Sequence, residues 1–121
     1  MKGDTSMFQV VNETTGAVLA IRARAARTPL ARMRGLLGTR DLPEGDGLLL
    51  DPCNNVHMFG MRYPLAAIYL DRTNRVLCCR ELRPGQIGPL LFKAKTVLEL
   101  PVTALERVAP GQQIGFRSVE P

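Results

Sequence analysis

The stretch LAAIYLDRTNRVLCCREL, residues 65–82, has the pattern of two β-strands joined by a turn. An apolar, β-prone run covers residues 65–70, and a second β-prone run covers residues 76–82. The polar segment DRTNR between them is rich in the residues that form tight turns. The stretch therefore predicts an antiparallel hairpin, and with it a mainly β protein.

The same pattern recurs on both sides of this hairpin. FQVVNETTGAVLAIRA (residues 8–23) predicts a second hairpin, because Gly16 can supply the positive φ of a tight turn. Short strands are also predicted in GLLLDP, in VHMF and in PGQQIGFRSV, and one or two strands in LLFKAKTVLELP. A single helical turn is expected at residues 103–108.

One segment instead has helical signals. Thr28 is a good N-cap, Pro29 suits the first helical position and Gly38 can end a helix. Apolar residues recur at helical spacing between them, and two arginines lie off that stripe. The segment predicts one short helix at residues 29–37, with an apolar stripe of Leu30, Met33, Leu36 and Leu37.

Length and element pattern together give the fold class. The 121 residues suffice for one domain. Many short strands with glycine and proline between them predict a mainly β fold with minor α content, as a small antiparallel barrel-like or sandwich-like single domain. We expect residues 7–121 to form this domain, with the helix over an open end. Residues 1–6 are expected to be a flexible tail or tag.

The apolar runs and the cysteines indicate where the protein is located. No apolar run approaches the roughly 18 residues that a membrane span needs, so no membrane span is expected. The three cysteines, Cys53, Cys78 and Cys79, are odd in number and two are adjacent, which argues against a disulfide framework. We expect a monomer, cytoplasmic as the sequence stands, or exported if a leader has been removed.

The charge is basic, with a formal net charge of +5. The densest cluster of basic residues comprises Arg22, Arg24, Arg27, Arg32 and Arg34. Such a cluster is either an ordinary solvated surface or a weak electrostatic site for nucleic acid or other anions. Nucleic acid is disfavoured, because tryptophan is absent and the other aromatic residues lie mostly in apolar, strand-like surroundings.

Several segments together resemble a known family. ARTPLARMRGLLG, GLLLDPCNNVHMFGMRYPL, AIYLDRTNRVL, LRPGQ and AKTVLELP occur in the order and at the spacing typical of the family named domain of unknown function 192. The resemblance covers roughly residues 20–116. It implies a small, mostly β, barrel-like fold with a short helix, and it implies no known activity.

The chain departs from the family pattern in two places. The family usually has an acidic residue where this chain has Ala66, and it often has a small residue and a glycine where this chain has Val102 and Thr103. If the missing acid belongs to a shared site, the departure at Ala66 would signal a lost or changed function.

The chain's single histidine, His57, admits several interpretations. With Cys53 and Met61 it could form a soft-ligand site for Cu(I), or with Cys53 a nucleophile and base pair. Along an extended strand, however, four residues span about 13 Å, which is too far for either arrangement unless the chain folds back. The commonest role of a lone histidine is structural, as a partly buried ring with backbone hydrogen bonds.

The remaining interpretation is a binding groove. Arg34, His57, Met61, Arg62 and Glu99 lie inside the motif segments, and they would converge if the helix end lies over the His57 segment. Arginines and a histidine suit an anionic or sugar-like ligand. The main hypothesis is therefore a small binding or accessory protein without catalytic activity or a cofactor, whose partner is a small molecule, a glycan or another protein. The Cu(I)-binding or redox protein is the alternative.

Overall fold

The seven strands of the protein form one sheet, which is seen in a computed structural model that describes residues 6–119. Residues 1–5 of the expected tail lie outside the described residues. The strands are β1 (Phe8–Asn12), β2 (Val18–Ala26), β3 (Asp46–Leu50), β4 (Leu65–Leu70), β5 (Val76–Leu82), β6 (Thr96–Leu100) and β7 (Ile114–Ser118). Helix α1 spans Pro29–Arg34, and a 3₁₀-helix spans Val102–Arg107.

The sheet curls into a half-barrel. Its order is β5-β4-β6-β3-β2-β1-β7, so β5 and β7 are the two edges. At one end these edges meet: Arg75 bridges Gln113, and the backbone N–H of Val76 donates to the carbonyl of Gln112 over 2.9 Å. The predicted fold class, mainly β and barrel-like with minor helix, is confirmed. Both predicted hairpins, β1–β2 and β4–β5, also form.

One strand pair is parallel, although an antiparallel sheet was expected. β2 runs parallel to β3, whereas every other neighbouring pair among the described strands is antiparallel. The cause is the connection between them: residues 27–45 carry α1 across the sheet and return the chain to the end from which β2 began. Parallel neighbours require such a crossover.

The helix is shorter than predicted, and its apolar side faces outward. It ends at Arg34 because Gly35 takes a positive φ of 49°, three residues before the expected stop. Leu30 and Met33 are 72% and 71% exposed, while Leu36, in the turn after the helix, is buried. The turn that follows the six-residue helix therefore packs over the sheet, whereas Leu30 and Met33 on the helix itself do not.

Two strand predictions also change. VHMF is not a strand; its one ladder contact among the described residues is the isolated bridge between His57 and Ile87. LLFKAKTVLELP contains one strand, β6. The helical turn predicted at residues 103–108 forms as the 3₁₀-helix.

The central strands are buried on both faces, which gives the protein two apolar layers. Leu49, Ile68 and Leu98 belong to the core on the inside of the half-barrel, whereas their neighbours Leu48 and Val97 belong to a second core outside it. The second core is covered by three segments, residues 27–40, 52–64 and 83–95, which we call the covering layer. Leu36, Val56 and Met58 are its buried anchors.

The covering layer is held together by backbone hydrogen bonds between its two loops. Met58 donates to the carbonyl of Gln86 over 2.7 Å, and Gly88 donates to that of Val56 over 2.7 Å. Tyr69 reaches up from β4, and its hydroxyl donates to the carbonyl of Pro89 over 2.9 Å. The loops are therefore fixed both to each other and to the sheet.

We predict that Gly88→Ala destabilises the protein through the Tyr69 hydroxyl. A Cβ at Gly88 would lie 2.5 Å from that oxygen, and such overpacking costs about 1–3 kcal/mol. Tyr69→Phe alone should cost about 1 kcal/mol for the lost hydrogen bond. Chemical denaturation of both single variants and the double variant checks this. The double variant should lose less unfolding free energy than the two single variants lose together, because Tyr69→Phe leaves no hydroxyl for the new methyl group to overlap. A loss equal to that sum would contradict the contact.

Candidate functional site

A cavity of about 120 Å³ lies between the covering layer and the sheet. Its walls come from α1, from the turn that follows it and from residues 53–61, and its floor comes from β3 and β6. The lining includes Arg32, Met33, Arg34, Leu37, Cys53, His57, Phe59, Met61 and Glu99. Four of the five residues predicted for a groove, Arg34, His57, Met61 and Glu99, thus come together. Arg62 is exposed and does not line the cavity.

Glu99 forms part of the floor, and its position follows from strand alternation. It pairs with Leu48 on one side and Ala67 on the other, and both belong to the outer core. Its side chain must therefore point outward from the half-barrel, beneath the covering layer. Only 5% of Glu99 is exposed.

The buried Glu99 carboxyl lacks a partner. Within residues 6–119 it has no hydrogen bond and no salt bridge. Burial raises the pKa of Glu99 from 4.5 to about 7. Buried carboxyl groups are nearly always hydrogen-bonded, so an unpartnered one in a cavity wall is unusual.

Two arginines line the same cavity as this carboxyl. Arg34 is exposed at the end of α1, and Arg32 is held by a hydrogen bond of 3.0 Å from its Nη1 to the carbonyl of Arg27. Neither has a salt bridge to a described residue. The positive charge therefore lies in the wall while the carboxyl forms the floor. Arg32 was missed as a site residue, since the sequence showed it only as one of a cluster.

His57 is exposed, so the partly buried structural role is not the one observed. Its Nδ1 accepts a hydrogen bond of 3.3 Å from the backbone N–H of Phe59, and the two rings stack with centroids 5.0 Å apart. Phe59 was also missed by sequence reasoning. The strand predicted at VHMF would have placed the two rings on one face, and that alternation was the available signal.

The extended-chain distance argument fails here, because the segment folds back. Gly60 takes a φ of 82°, and the N–H of Met61 donates to the carbonyl of Met58 over 3.2 Å. Cys53, His57 and Met61 consequently line one cavity although they are four residues apart.

Proximity alone does not assign a metal site or a catalytic pair to these residues. Among the described residues no three His, Cys, Asp or Glu side chains converge as metal ligands. The Cys53 thiol donates to the carbonyl of Asn55 over 3.0 Å, and the structure describes no bond from it to His57. Burial raises the pKa of the Cys53 thiol, and the negative charge of Glu99 adds to the rise. The thiolate that either chemistry requires is therefore disfavoured.

Ala66 does not belong to the cavity. It pairs with Leu100, and both lie in the core inside the half-barrel, on the opposite face of the sheet from Glu99. An acidic side chain at this position would point away from the cavity. The departure from the family pattern at Ala66 therefore leaves the Glu99 site unchanged.

Comparison with known proteins gives a family and a fold. A family model described as domain of unknown function 192 (Uncharacterized ACR) matches residues 10–116. A protein of unknown function from Novosphingobium aromaticivorans has a similar crystal structure, with a TM-score of 0.76, 23% identity, and coverage of 90% of this chain and 83% of that one. None of the curated proteins compared with the chain matches it.

A second solved structure has the same fold. It is a protein from Sinorhizobium meliloti 1021 whose name proposes a transcription regulator, with a TM-score of 0.73, 21% identity, and coverage of 92% of both chains. At these identities the likeness to both structures extends to the fold alone. Separately, no described helix is long and apolar enough to cross a membrane.

We predict that stability falls as the pH rises, because of Glu99. Its pKa is about 7 in the folded protein against 4.5 as the ordinary value, so the folded state binds more protons between these values. Stability is then greatest below pH 4.5 and decreases by about 3 kcal/mol through pH 7, beyond which this contribution is constant.

Urea denaturation from pH 5 to pH 8 checks this prediction. Glu99→Gln should flatten the pH dependence and be the more stable protein at pH 8, because it removes the buried charge. Glu106→Gln, at an exposed position of the 3₁₀-helix, is the matched control and should keep the wild-type slope. Parallel curves for wild type and Glu99→Gln would refute the assignment.

Proposed function

Since the chain belongs to the family domain of unknown function 192, whose description assigns no activity, we propose a function from the cavity itself. The protein binds a small hydroxylated anion, such as a sugar acid or a glycerol phosphate, and does not transform it. The hydroxyl groups enter the cavity, and the acidic group stays at the arginines of its wall.

The observation that carries this proposal is the unpartnered Glu99 on the cavity floor. Glu99 is only 5% exposed, so its carboxylate loses most of its hydration and has no donor among the described residues to replace it. Ligand hydroxyl groups would supply the missing donors, each in a charge-assisted hydrogen bond of about 1.5–3 kcal/mol. The cavity is therefore suited to a hydroxylated group.

The arginines would bind the acidic group of the ligand, at the end away from Glu99. Arg32 and Arg34 have no acidic partner among the described residues, so their guanidinium groups are free to bind a carboxylate or phosphate. An acidic group placed deeper would meet the negative charge of Glu99. The ligand orientation follows from this separation of charges between wall and floor.

Cavity size sets a limit on what enters. A volume of about 120 Å³ corresponds to roughly four water molecules at liquid density. That accommodates a diol or part of a sugar ring, but not a whole oligosaccharide. The stacked rings of His57 and Phe59 offer a flat apolar wall for the carbon face of such a group.

Titration with sodium glucuronate and with glycerol 3-phosphate, followed by amide NMR, tests the proposal. We expect shifts confined to residues 35–37 and 53–61. Glu99→Gln should weaken binding by about tenfold or more, since it loses the charged acceptor, and Arg34→Ala should weaken it by about tenfold.

Arg72→Ala is the control for the loss of positive charge. Arg72 is exposed in the turn between β4 and β5 and lies outside the cavity lining, so this variant should bind like the wild type. If Arg72→Ala and Arg34→Ala weaken ligand binding equally, the loss of affinity comes from the net charge and not from the cavity. The absence of shifts with both probes would reject the site.

A further inference from the structure

The covering layer exposes most of the large apolar side chains on the protein surface. The described residues expose eleven such side chains, and seven of them lie in this layer. Phe92 is 85% exposed, and Leu30 and Met33 are 72% and 71% exposed. The other four are Leu37, Phe59, Ile87 and Leu90. Solvated positions rarely concentrate large apolar residues in this way unless they form an interaction surface.

These side chains come from segments that lie against one another. Met33 and Phe59 line the same cavity, and a Cβ at Gly60 would lie 3.1 Å from the side chain of Leu37. Between the two loops, the backbone N–H of Leu91 donates a hydrogen bond of 3.0 Å to the carbonyl of Asn54. The helix and both loops therefore lie next to one another in the covering layer.

The charge of the same layer is one-sided. Segments 27–40, 52–64 and 83–95 contain none of the chain's 11 acidic residues and half of its 16 basic ones. Arg27 and Lys95 pair with Asp51, and Arg83 pairs with Glu81, which are acids just outside the layer. The other five have no salt bridge to a described residue: Arg32, Arg34, Arg40, Arg62 and Lys93.

We infer that the covering layer docks on the surface of an anionic lipid bilayer. Exposed Leu30, Met33 and Phe92 would enter the boundary between headgroups and acyl chains, and the unpaired arginines and lysine would bind the anionic headgroups. Each basic residue at such a surface strengthens binding by about fivefold, and each buried apolar side chain by about as much or more.

The apolar residues distinguish a bilayer from nucleic acid. Phosphates would satisfy the arginines, but aliphatic side chains such as Leu30, Ile87 and Leu90 find no apolar environment in a nucleic-acid groove. A bilayer satisfies both sets at once. The docking does not depend on the ligand proposed above. It would, however, place the cavity beside the headgroups, since Met33 and Phe59 belong to both.

Single tryptophans test the docking, because the native chain has none. Phe92→Trp and Leu30→Trp place a fluorophore in the layer, and Val18→Trp places one at an exposed position of β2, outside it. Vesicles of phosphatidylcholine with phosphatidylglycerol should shift the emission of the first two variants to shorter wavelength and leave the third unchanged. Pure phosphatidylcholine should bind at least about tenfold more weakly.

Vesicle sedimentation of surface variants completes the test. Leu30→Ser with Met33→Ser and Phe92→Ser should reduce binding by about tenfold or more. Val18→Ser with Ile21→Ser, also exposed but on β2, should not, and circular dichroism confirms that each variant folds. Glu99→Gln should retain vesicle binding, which separates this surface from the cavity.

Two results would overturn the inference. One is equal sedimentation with anionic and neutral vesicles, or an equal blue shift from Val18→Trp. The other is no vesicle binding together with salt-sensitive binding of a duplex oligonucleotide that Arg34→Ala with Arg62→Ala weakens, which would assign the layer to nucleic acid.

Discussion

The covering layer and the sheet enclose a carboxyl group, that of Glu99, which has no partner within the described residues. The proposed binding site depends on this constraint. β3, β4 and β6 are buried on both faces, so every second side chain points away from the half-barrel interior and still loses water. Most of these outward residues are apolar. Glu99 is not, and its burial raises its pKa to about 7. The folded protein buries a carboxyl group on this face at Glu99, where the side chain borders the cavity.

Local patterns predicted the elements whose signals are local. The two hairpins formed as expected, because alternating side chains and turn residues act within a few positions of each other. The parallel pairing of β2 with β3 depends on contacts across residues 27–45, which no short pattern records. The helix prediction failed at its end, since Gly35 and not Gly38 ends the helix.

The site residues, like the strands and the helix, could be predicted only in part from local sequence. Arg34, His57 and Glu99 were identified because they lie within family motifs, and all three line the cavity. The fold-back at Gly60, which the Cu(I) interpretation required, replaces the strand predicted at VHMF by a turn. Arg62 also lies within a motif segment, but it is exposed and lies outside the lining. Arg32 was missed because an arginine within a cluster carries no signal of its own.

The most direct test is a carbon-13 NMR titration of the Glu99 side-chain carboxyl, with Glu99→Gln to assign the signal. In the free protein we expect a midpoint close to the pKa of about 7. Adding glucuronate should lower it, because hydroxyl donors stabilise the ionised carboxylate. A midpoint near the ordinary value of 4.5, unchanged by glucuronate, would contradict both the burial of Glu99 and its role in binding.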